Sequence, residues 1–180
     1  GIGPELVLKL AKQSLKLKLA CTGDPDFLDN LSQQLGLDLD IKRIARSTEI
    51  PYHEAGTLHV VPCRLRQSVT PGRLNQQNAA YVLQCLDAAI TMCREGYADA
   101  LTTAPLQKSV INEAGISFSG HTEYLAEQTT AGVRPVMLLA SEKLRIALVT
   151  THMSLRQVPD QVSREHVLHT IKTEIGRAHV

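Results

Sequence analysis

The sequence predicts an α/β protein with a mostly parallel sheet and helices packed on both faces of that sheet. Short apolar runs with strand character alternate along the chain with segments whose apolar residues recur at helical spacing. Each helix can then return the chain to the start of the next strand, which favours parallel strands. Hydrophobic residues make up 43% of the chain and charged residues 21%, as is typical of a globular protein with a core.

The first third of the chain shows this alternation clearly. Pro4 suits the first turn of a helix, because its missing N–H costs nothing there, so the first helix is expected to begin near residue 3. Asp24 and Pro25 are a typical N-cap and first-turn pair for a helix that reaches about Leu35, where Gly36 ends it. Strands are predicted around that helix, at 17–21, 37–44 and 57–61.

The longest helix is predicted over 73–94, and Gly96 follows it at the place expected of a C-terminal glycine. Its apolar residues recur at helical spacing: Ala79, Val82, Leu83, Leu86, Ile90 and Cys93. Downstream the sequence predicts, in order, a strand at 99–103, helices after Pro105 and Gly120, and strands at 136–140 and 145–149.

Composition, apolar runs and cysteine spacing limit the partners and the compartment that are expected. A net charge of +1 and 3% aromatic residues give no concentrated basic face and few stacking platforms, so no nucleic-acid partner is expected. No apolar run approaches the roughly 18 residues of a membrane span and no signal peptide is present, so no membrane association is expected. The four cysteines form no CxxC pair, which favours a reducing cytoplasm.

The chain begins with Gly-Ile-Gly-Pro-Glu rather than Met, so an upstream part is expected to be missing. Residues 174–180 match the translation of a common sequencing-adapter oligonucleotide, and they are expected to be an artefactual tail after a functional portion at 1–173. A genuine helix end followed by a glycine cap is the alternative.

Polar residues follow three apolar runs, at the carboxyl ends of predicted strands where α/β proteins bind ligands. Lys108 follows the run at 101–105 and is a candidate anion contact, although a lysine on a solvated helix face is the alternative. His121 and Thr122 follow Gly120 where a helix begins, and free N–H groups at such an end attract phosphate or carboxylate. The alternative there is a simple N-cap at Thr122 beside a surface histidine.

His152 comes directly after the strand predicted at 145–149, a natural position for a metal ligand or a proton carrier. The alternative is a structural histidine, because no HxxxH pattern or nearby carboxylate completes a metal shell. The sequence also contains no GxGxxG after a strand, no GxxxxGK[ST], no GxSxG and no HExxH. A classical dinucleotide-binding fold is therefore not predicted.

Four motifs in order resemble the 4-hydroxythreonine-4-phosphate dehydrogenase family, supported by an Asn-x-Ala-Gly-Ile segment at 112–116. They are Gly-Ile-Gly-Pro-Glu at 1–5, Thr-x-Pro-x-x-Lys at 103–108, Gly-His-Thr-Glu at 120–123 and Thr-Thr-His at 150–152. The resemblance covers the chain to about residue 173, which is about half of such a protein. It implies a truncated fold similar to isocitrate and isopropylmalate dehydrogenases, which bind nicotinamide cofactors without the usual glycine signature.

The resemblance also implies site roles and an activity. His121 and Thr122 would bind the substrate, His152 would be a ligand of a divalent metal (Zn, Mg or Co), and the active form would be a homodimer. The reaction would be NAD- or NADP-dependent oxidation and decarboxylation of 4-phosphohydroxy-L-threonine, giving 3-amino-2-oxopropyl phosphate for pyridoxal 5'-phosphate synthesis. The other metal ligands would lie beyond this chain, so the chain by itself is expected to be inactive.

Three other readings stay open at this point. A related dehydrogenase would act on threonate or erythronate 4-phosphate. A non-catalytic phosphate-binding α/β module would use residues 120–123 without metal or redox chemistry. A broken reading frame would have no function at all.

Overall fold

The computed structural model describes residues 1–129 and 134–177, and the chain divides into two units, 1–129 and 130–180. The first unit contains these elements: α1 (Gly3–Ala11), β1 (Ala20–Gly23), α2 (Pro25–Gln34), β2 (Asp40–Arg43), β3 (Thr57–Pro62), α3 (Ala79–Arg94), α4 (Lys108–Glu113) and α5 (His121–Thr129). The second contains β4 (Met137–Ala140), β5 (Arg145–Leu148), α6 (Val158–Gln161) and α7 (Arg164–Arg177). Short 3-10 turns precede α3 and α6.

The first unit is built on a three-stranded parallel sheet with the order β1-β3-β2. β3 is the central strand, and all but the last of its six residues are buried. His59 at its middle pairs with Ala20 of β1 on one side and Lys42 of β2 on the other. Both outer strands therefore align with one buried strand, which brings their carboxyl ends to the same edge.

Helices cover both faces of this sheet, because successive residues of a strand point to opposite sides. Leu58 and Val60 of β3 pack in one cluster with buried residues of α1 and α2, which are Leu8, Ala11, Leu28 and Leu31. Val61 points the other way and packs with Met92 of α3. A separate cluster joins α3 to α4 and α5 through Leu83, Leu86, Ile111 and Phe118, among others.

The second unit is built on a two-stranded antiparallel hairpin, β4 and β5, in which Leu139 pairs with Ile146. Both of those side chains are exposed. Across the positions of this unit whose burial is described, 134–175, only Thr170 is buried. No helix of the described residues is long and apolar enough to cross a membrane.

Most predicted elements are confirmed, with shifted ends. The Asp24 side chain caps α2 by accepting hydrogen bonds from the backbone N–H groups of Asp26 and Phe27. The longest helix was expected from residue 73, but α3 begins at Ala79, because the Asn75 side chain accepts from Gln77 N and sets up a 3-10 turn first. Residues 174–177 continue α7, and their assignment to a tail stays a prediction.

Two expectations about strands need correction. Residues 99–103 form no strand, and the prediction there was wrong. They are mostly exposed, and a strand needs a hydrogen-bonded neighbour that an apolar run by itself cannot supply. The predicted strands at 136–140 and 145–149 are confirmed as β4 and β5, but they pair antiparallel with each other because only a short turn at 141–144 joins them.

Candidate functional site

Two glycines let the start of the chain approach the segment after residue 102 closely. A Cβ atom on Gly3 would lie 2.7 Å from the Cβ of Ala104, and one on Gly1 would lie 3.0 Å from the carbonyl oxygen of Pro105. Real Cβ atoms essentially never come closer than 3.0 Å to another heavy atom, so a side chain at position 3 would force the two segments apart. The motifs at 1–5 and 103–108 are therefore neighbours in the fold.

The second and third motifs also meet, at Gly120. A Cβ atom on Gly120 would lie 3.0 Å from Lys108 Nζ and 2.8 Å from Glu123 Oε2. The Lys108 side chain thus reaches across from the first residue of α4 to the turn that starts α5. Three of the four motifs found in the sequence converge within the first unit, and Lys108, Gly120, His121, Thr122 and Glu123 are called the Gly120 cluster below.

His121 is the first residue of α5 and is half-buried. Its ring meets the ring of Phe118 edge-on, with the centroids 6.0 Å apart and the planes at 87°. Burial lowers the pKa of His121, and the positive charge of Lys108 lowers it further. The imidazole is therefore mainly neutral near pH 7, with one ring nitrogen donating and the other accepting.

Asn112 holds the segment that supports His121. Its side-chain amide donates to the Phe118 carbonyl oxygen at 3.1 Å, and its side-chain oxygen accepts from Phe118 N at 2.8 Å. Tyr124, one turn along α5, donates to Asp87 of α3 at 2.6 Å. These contacts fix the start of α5 against both α3 and α4.

The Gly120 cluster is chemically suited to an anion. It combines the Lys108 ammonium, a neutral imidazole at His121 and the unpaired N–H groups expected at the start of a helix. Thr122, half-buried at the second position of α5, adds a hydroxyl. Glu123 lies close to Gly120 and places a carboxylate at the edge of the cluster.

His152 lies in the second unit, in the turn after β5, and its side chain is exposed. Its backbone has φ of 52°, and within the described ranges it is the only residue other than glycine with a positive φ. A positive φ is uncommon outside glycine, and residues that adopt one often lie at functional sites. His121 and His152 belong to different units, and the metal-ligand role that the resemblance implies for His152 stays a prediction.

Sequence reasoning missed the residues that support the cluster: Phe118, Tyr124 and Asp87. A signal was nevertheless present, because the chain has only two Phe and four Tyr residues and two of these six flank the Gly-His-Thr-Glu motif. Their rings lie 5.6 Å apart in the structure. Asp87 carried no such signal, since its partner lies 37 positions away along the chain.

The parallel sheet with helices on both faces and the Gly120 cluster define an α/β protein equipped to hold an anionic ligand. Residues 15–177 match the family model described as pyridoxal phosphate biosynthetic protein PdxA. The chain belongs to this family.

Relatives and solved structures with similar sequences carry one activity name. The chain is 44% identical over 167 residues to 4-hydroxythreonine-4-phosphate dehydrogenase of Methylococcus capsulatus, covering 93% of this chain and 50% of the relative. It is 42% identical over 175 residues to the Vibrio cholerae enzyme of the same name, covering 94% and 53%. The chain spans about half the length of the curated relatives it matches.

Solved 4-hydroxythreonine-4-phosphate dehydrogenases have a similar fold. The Klebsiella pneumoniae structure has a TM-score of 0.85 at 28% identity, over 96% of this chain and 54% of that one. The Burkholderia phymatum structure has a TM-score of 0.81 at 29% identity, over 96% and 53%. The predicted α/β fold class is confirmed.

Proposed function

We propose that residues 1–173 are the N-terminal portion of a dehydrogenase that oxidises and decarboxylates 4-phosphohydroxy-L-threonine in pyridoxal 5'-phosphate synthesis. The observation that carries this proposal is the Gly120 cluster, in which motifs distant in sequence assemble one anion-binding arrangement in a chain of this family. The relatives' shared activity name supports the choice of substrate.

Within the Gly120 cluster, His121 and Thr122 would bind the substrate and Lys108 would contact one of its anionic groups. A neutral imidazole can both donate to an oxygen and accept from a hydroxyl, which suits a substrate that carries both. The Lys108 ammonium adds a charge-assisted hydrogen bond to the phosphate or the carboxylate. Their fixed positions would orient the substrate before the reaction.

A divalent metal and a nicotinamide cofactor belong to the proposed reaction. Of the family's metal ligands this chain would supply His152, whose exposed ring is free to take a ligand role. The described residues contain no group of three His, Cys, Asp or Glu side chains able to hold a metal ion, so the remaining ligands would come from outside them. When bound, a Zn, Mg or Co ion supplies Lewis-acid chemistry and NAD or NADP accepts the hydride.

The whole protein is further proposed to act as a cytoplasmic homodimer. A site that lacks metal ligands in one chain segment is consistent with assembly from several segments or subunits. Size-exclusion chromatography with light scattering on a chain extended to the relatives' length tests this, and a monomer that retains full activity would refute the dimer.

The binding role is tested on the chain itself by calorimetry with 4-phosphohydroxy-L-threonine. Lys108→Ala and His121→Ala should each weaken binding about tenfold or more, since a hydrogen bond to a charged group contributes about 1.5–3 kcal/mol. Lys12→Ala is the matched control, because Lys12 belongs to α1 and donates to the Asp38 carbonyl instead. Equal loss in all three variants, or in none, would refute the assigned contacts.

The reaction is tested on a chain extended to the length of its relatives. It should form reduced nicotinamide from 4-phosphohydroxy-L-threonine only with a divalent metal, and His152→Ala should abolish this. No turnover of that compound would refute the proposal. Faster turnover of threonate or erythronate 4-phosphate would instead identify the related dehydrogenase.

A second candidate function is a non-catalytic phosphate-binding module. It is favoured by one observation, that the described residues contain the Gly120 cluster but no three-ligand metal group. Phosphate-ester binding would then be unaffected by a chelator and by His152→Ala. A loss of binding in either experiment would rule this function out.

A further inference from the structure

Among the described residues, two hydrogen bonds join helix α5 to helix α3. The Tyr124 hydroxyl of α5 donates to Asp87 Oδ1 of α3 at 2.6 Å. About two turns further along α3, Arg94 donates to the carbonyl oxygen of Gln128 at 3.2 Å. Apolar side chains also pack between the helices, but apolar packing is not directional, whereas a hydrogen bond fixes a distance and an angle. The two polar contacts therefore set how α5 lies on α3.

The contact made by Tyr124 is the nearer one to the Gly120 cluster. Tyr124 follows His121 by three positions, so the two side chains lie on one face of α5. Both of their rings meet the ring of Phe118, which is only 3% exposed. The centroid distances to Phe118 are 6.0 Å for His121 and 5.6 Å for Tyr124. A movement of the Tyr124 ring would therefore reach His121 through Phe118.

Asp87 lies at the outer end of this series of contacts. Its side chain is exposed, and a contact at such a position adds little to the stability of a fold. The distance of 2.6 Å is nevertheless that of a hydroxyl bonded to an ionised carboxylate. Burial and the hydrogen bond to Asp87 both raise the pKa of Tyr124, so the hydroxyl keeps its proton and remains a donor.

We propose that Asp87 is a positioning residue for the Gly120 cluster. By holding the Tyr124 hydroxyl, it keeps Phe118 and the His121 ring in the orientation that binds an anionic ligand. Asp87 itself would not touch the ligand. Without its hydrogen bond the start of α5 would turn on α3, and the imidazole would lose its fixed direction. The effect on ligand binding rests on the proposed function, whereas the effect on the His121 ring does not.

NMR signals of the His121 ring test the positioning directly. Asp87→Ala and Tyr124→Phe each remove the hydrogen bond without removing an aromatic ring, so both should move the His121 signals in the same way. Asp87→Asn keeps an acceptor oxygen but removes the charge, and its His121 signals should match those of the native chain. His121→Ala identifies these signals among those of the seven histidines.

Calorimetry with 4-phosphohydroxy-L-threonine tests the consequence for binding. Asp87→Ala and Tyr124→Phe should each weaken binding about fivefold, and the double variant should bind no more weakly than either, because both changes remove the same contact. Asp87→Asn should keep the native affinity. Arg94→Ala is the matched control, because it removes the other hydrogen bond between α3 and α5 about two turns from His121. It should change neither the ring signals nor the affinity.

The ring signals decide the proposal. Unmoved His121 signals in Asp87→Ala and Tyr124→Phe would overturn it, and so would an Asp87→Asn spectrum that matches Asp87→Ala, since charge would then be the cause. Equal effects of Arg94→Ala would overturn it as well, because any loosening of α5 would suffice. A native chain that does not bind the compound would refute the proposed function, and the NMR comparison would still show whether Asp87 positions His121. Tyr124→Phe keeps the test decisive even if Asp87→Ala unfolds.

Discussion

The two units of this chain differ in how they are held together. In the first, a parallel sheet joins strands far apart in sequence, two clusters of buried apolar residues lie against the sheet, and a third joins α3 to α4 and α5. In the second, neighbouring strands form a hairpin, and across 134–175 only Thr170 is buried. The Gly120 cluster thus rests on a packed core, whereas His152 lies in a turn of a unit with little buried surface.

This difference bears on how each candidate group is positioned. A group on a packed scaffold is held in place before a ligand arrives, and less binding energy is lost in ordering it. A group in a unit with little buried surface depends on further contacts for its position. We therefore expect the residues of the Gly120 cluster to be preorganised, whereas His152 would depend for its position on further contacts, of which the proposed metal is one.

The largest expected effect is a contrast between two strand leucines. Leu58 of β3 is fully buried, whereas Leu139 of β4 is 54% exposed. Leu58→Ala should lower the free energy of unfolding by about 2–5 kcal/mol, because it leaves a cavity in the core. Leu139→Ala should change it by less than about 0.5 kcal/mol. Urea unfolding followed by circular dichroism measures both, and similar losses would contradict the contrast between the units.

A smaller contrast compares two hydrogen-bonding side chains. Asn112→Ala removes both hydrogen bonds to Phe118, a buried residue, and should lower the free energy of unfolding by about 1–3 kcal/mol because Phe118 backbone groups lose their partners. Ser154→Ala removes an exposed capping contact with Gln157 and should lower it by about 0.5–1 kcal/mol.

The same Asn112→Ala variant should also move the NMR signals of the His121 ring, which packs edge-on against Phe118. Ser154→Ala serves as the control for those signals and should leave them in place. Unchanged His121 resonances in Asn112→Ala would show that Asn112 does not position this ring.

The smallest expected effect is a pH dependence confined to the first unit. His59 is buried in β3, and burial is the main reason that its pKa lies below the ordinary 6.5. The positive charge of Lys42 lowers this pKa further, and so does His53. The negative charges of Glu54 and Asp40 act in the opposite direction and raise it. Below the ordinary value the unfolded chain binds the proton more readily than the folded one. The contribution of His59 is thus fully present above that value and is lost as pH falls through the folded pKa.

Urea midpoints at about pH 7 and about pH 5 measure this dependence. His59→Gln should flatten it, since the residue no longer titrates, whereas His166→Gln, at a half-buried position on α7 of the second unit, should leave it unchanged. A slope that persists in His59→Gln would assign the effect to other groups.

Local signals in the sequence predicted most of the helices, because the interactions that start a helix and define its apolar face lie close together along the chain. Asp24 and Pro25 start α2 through contacts within one turn, and the apolar spacing of α3 describes a single face. The strand expected at 99–103 failed because pairing depends on a neighbour elsewhere in the chain.

The candidate site likewise has one part that the sequence predicted and another that it did not. His121, Thr122 and Lys108 were found from motifs, but their convergence on Gly120 depends on contacts between α4 and α5.

Because the backbone at His152 is left-handed, selection for folding and selection for activity should favour different residues at this position. Glycine and asparagine adopt that conformation more easily than histidine, so a library screened only for folded protein should enrich those two residues. A library screened for turnover in an extended chain should return histidine. The difference in histidine frequency between the two screened populations would then measure how strongly a functional requirement outweighs the backbone preference at this position.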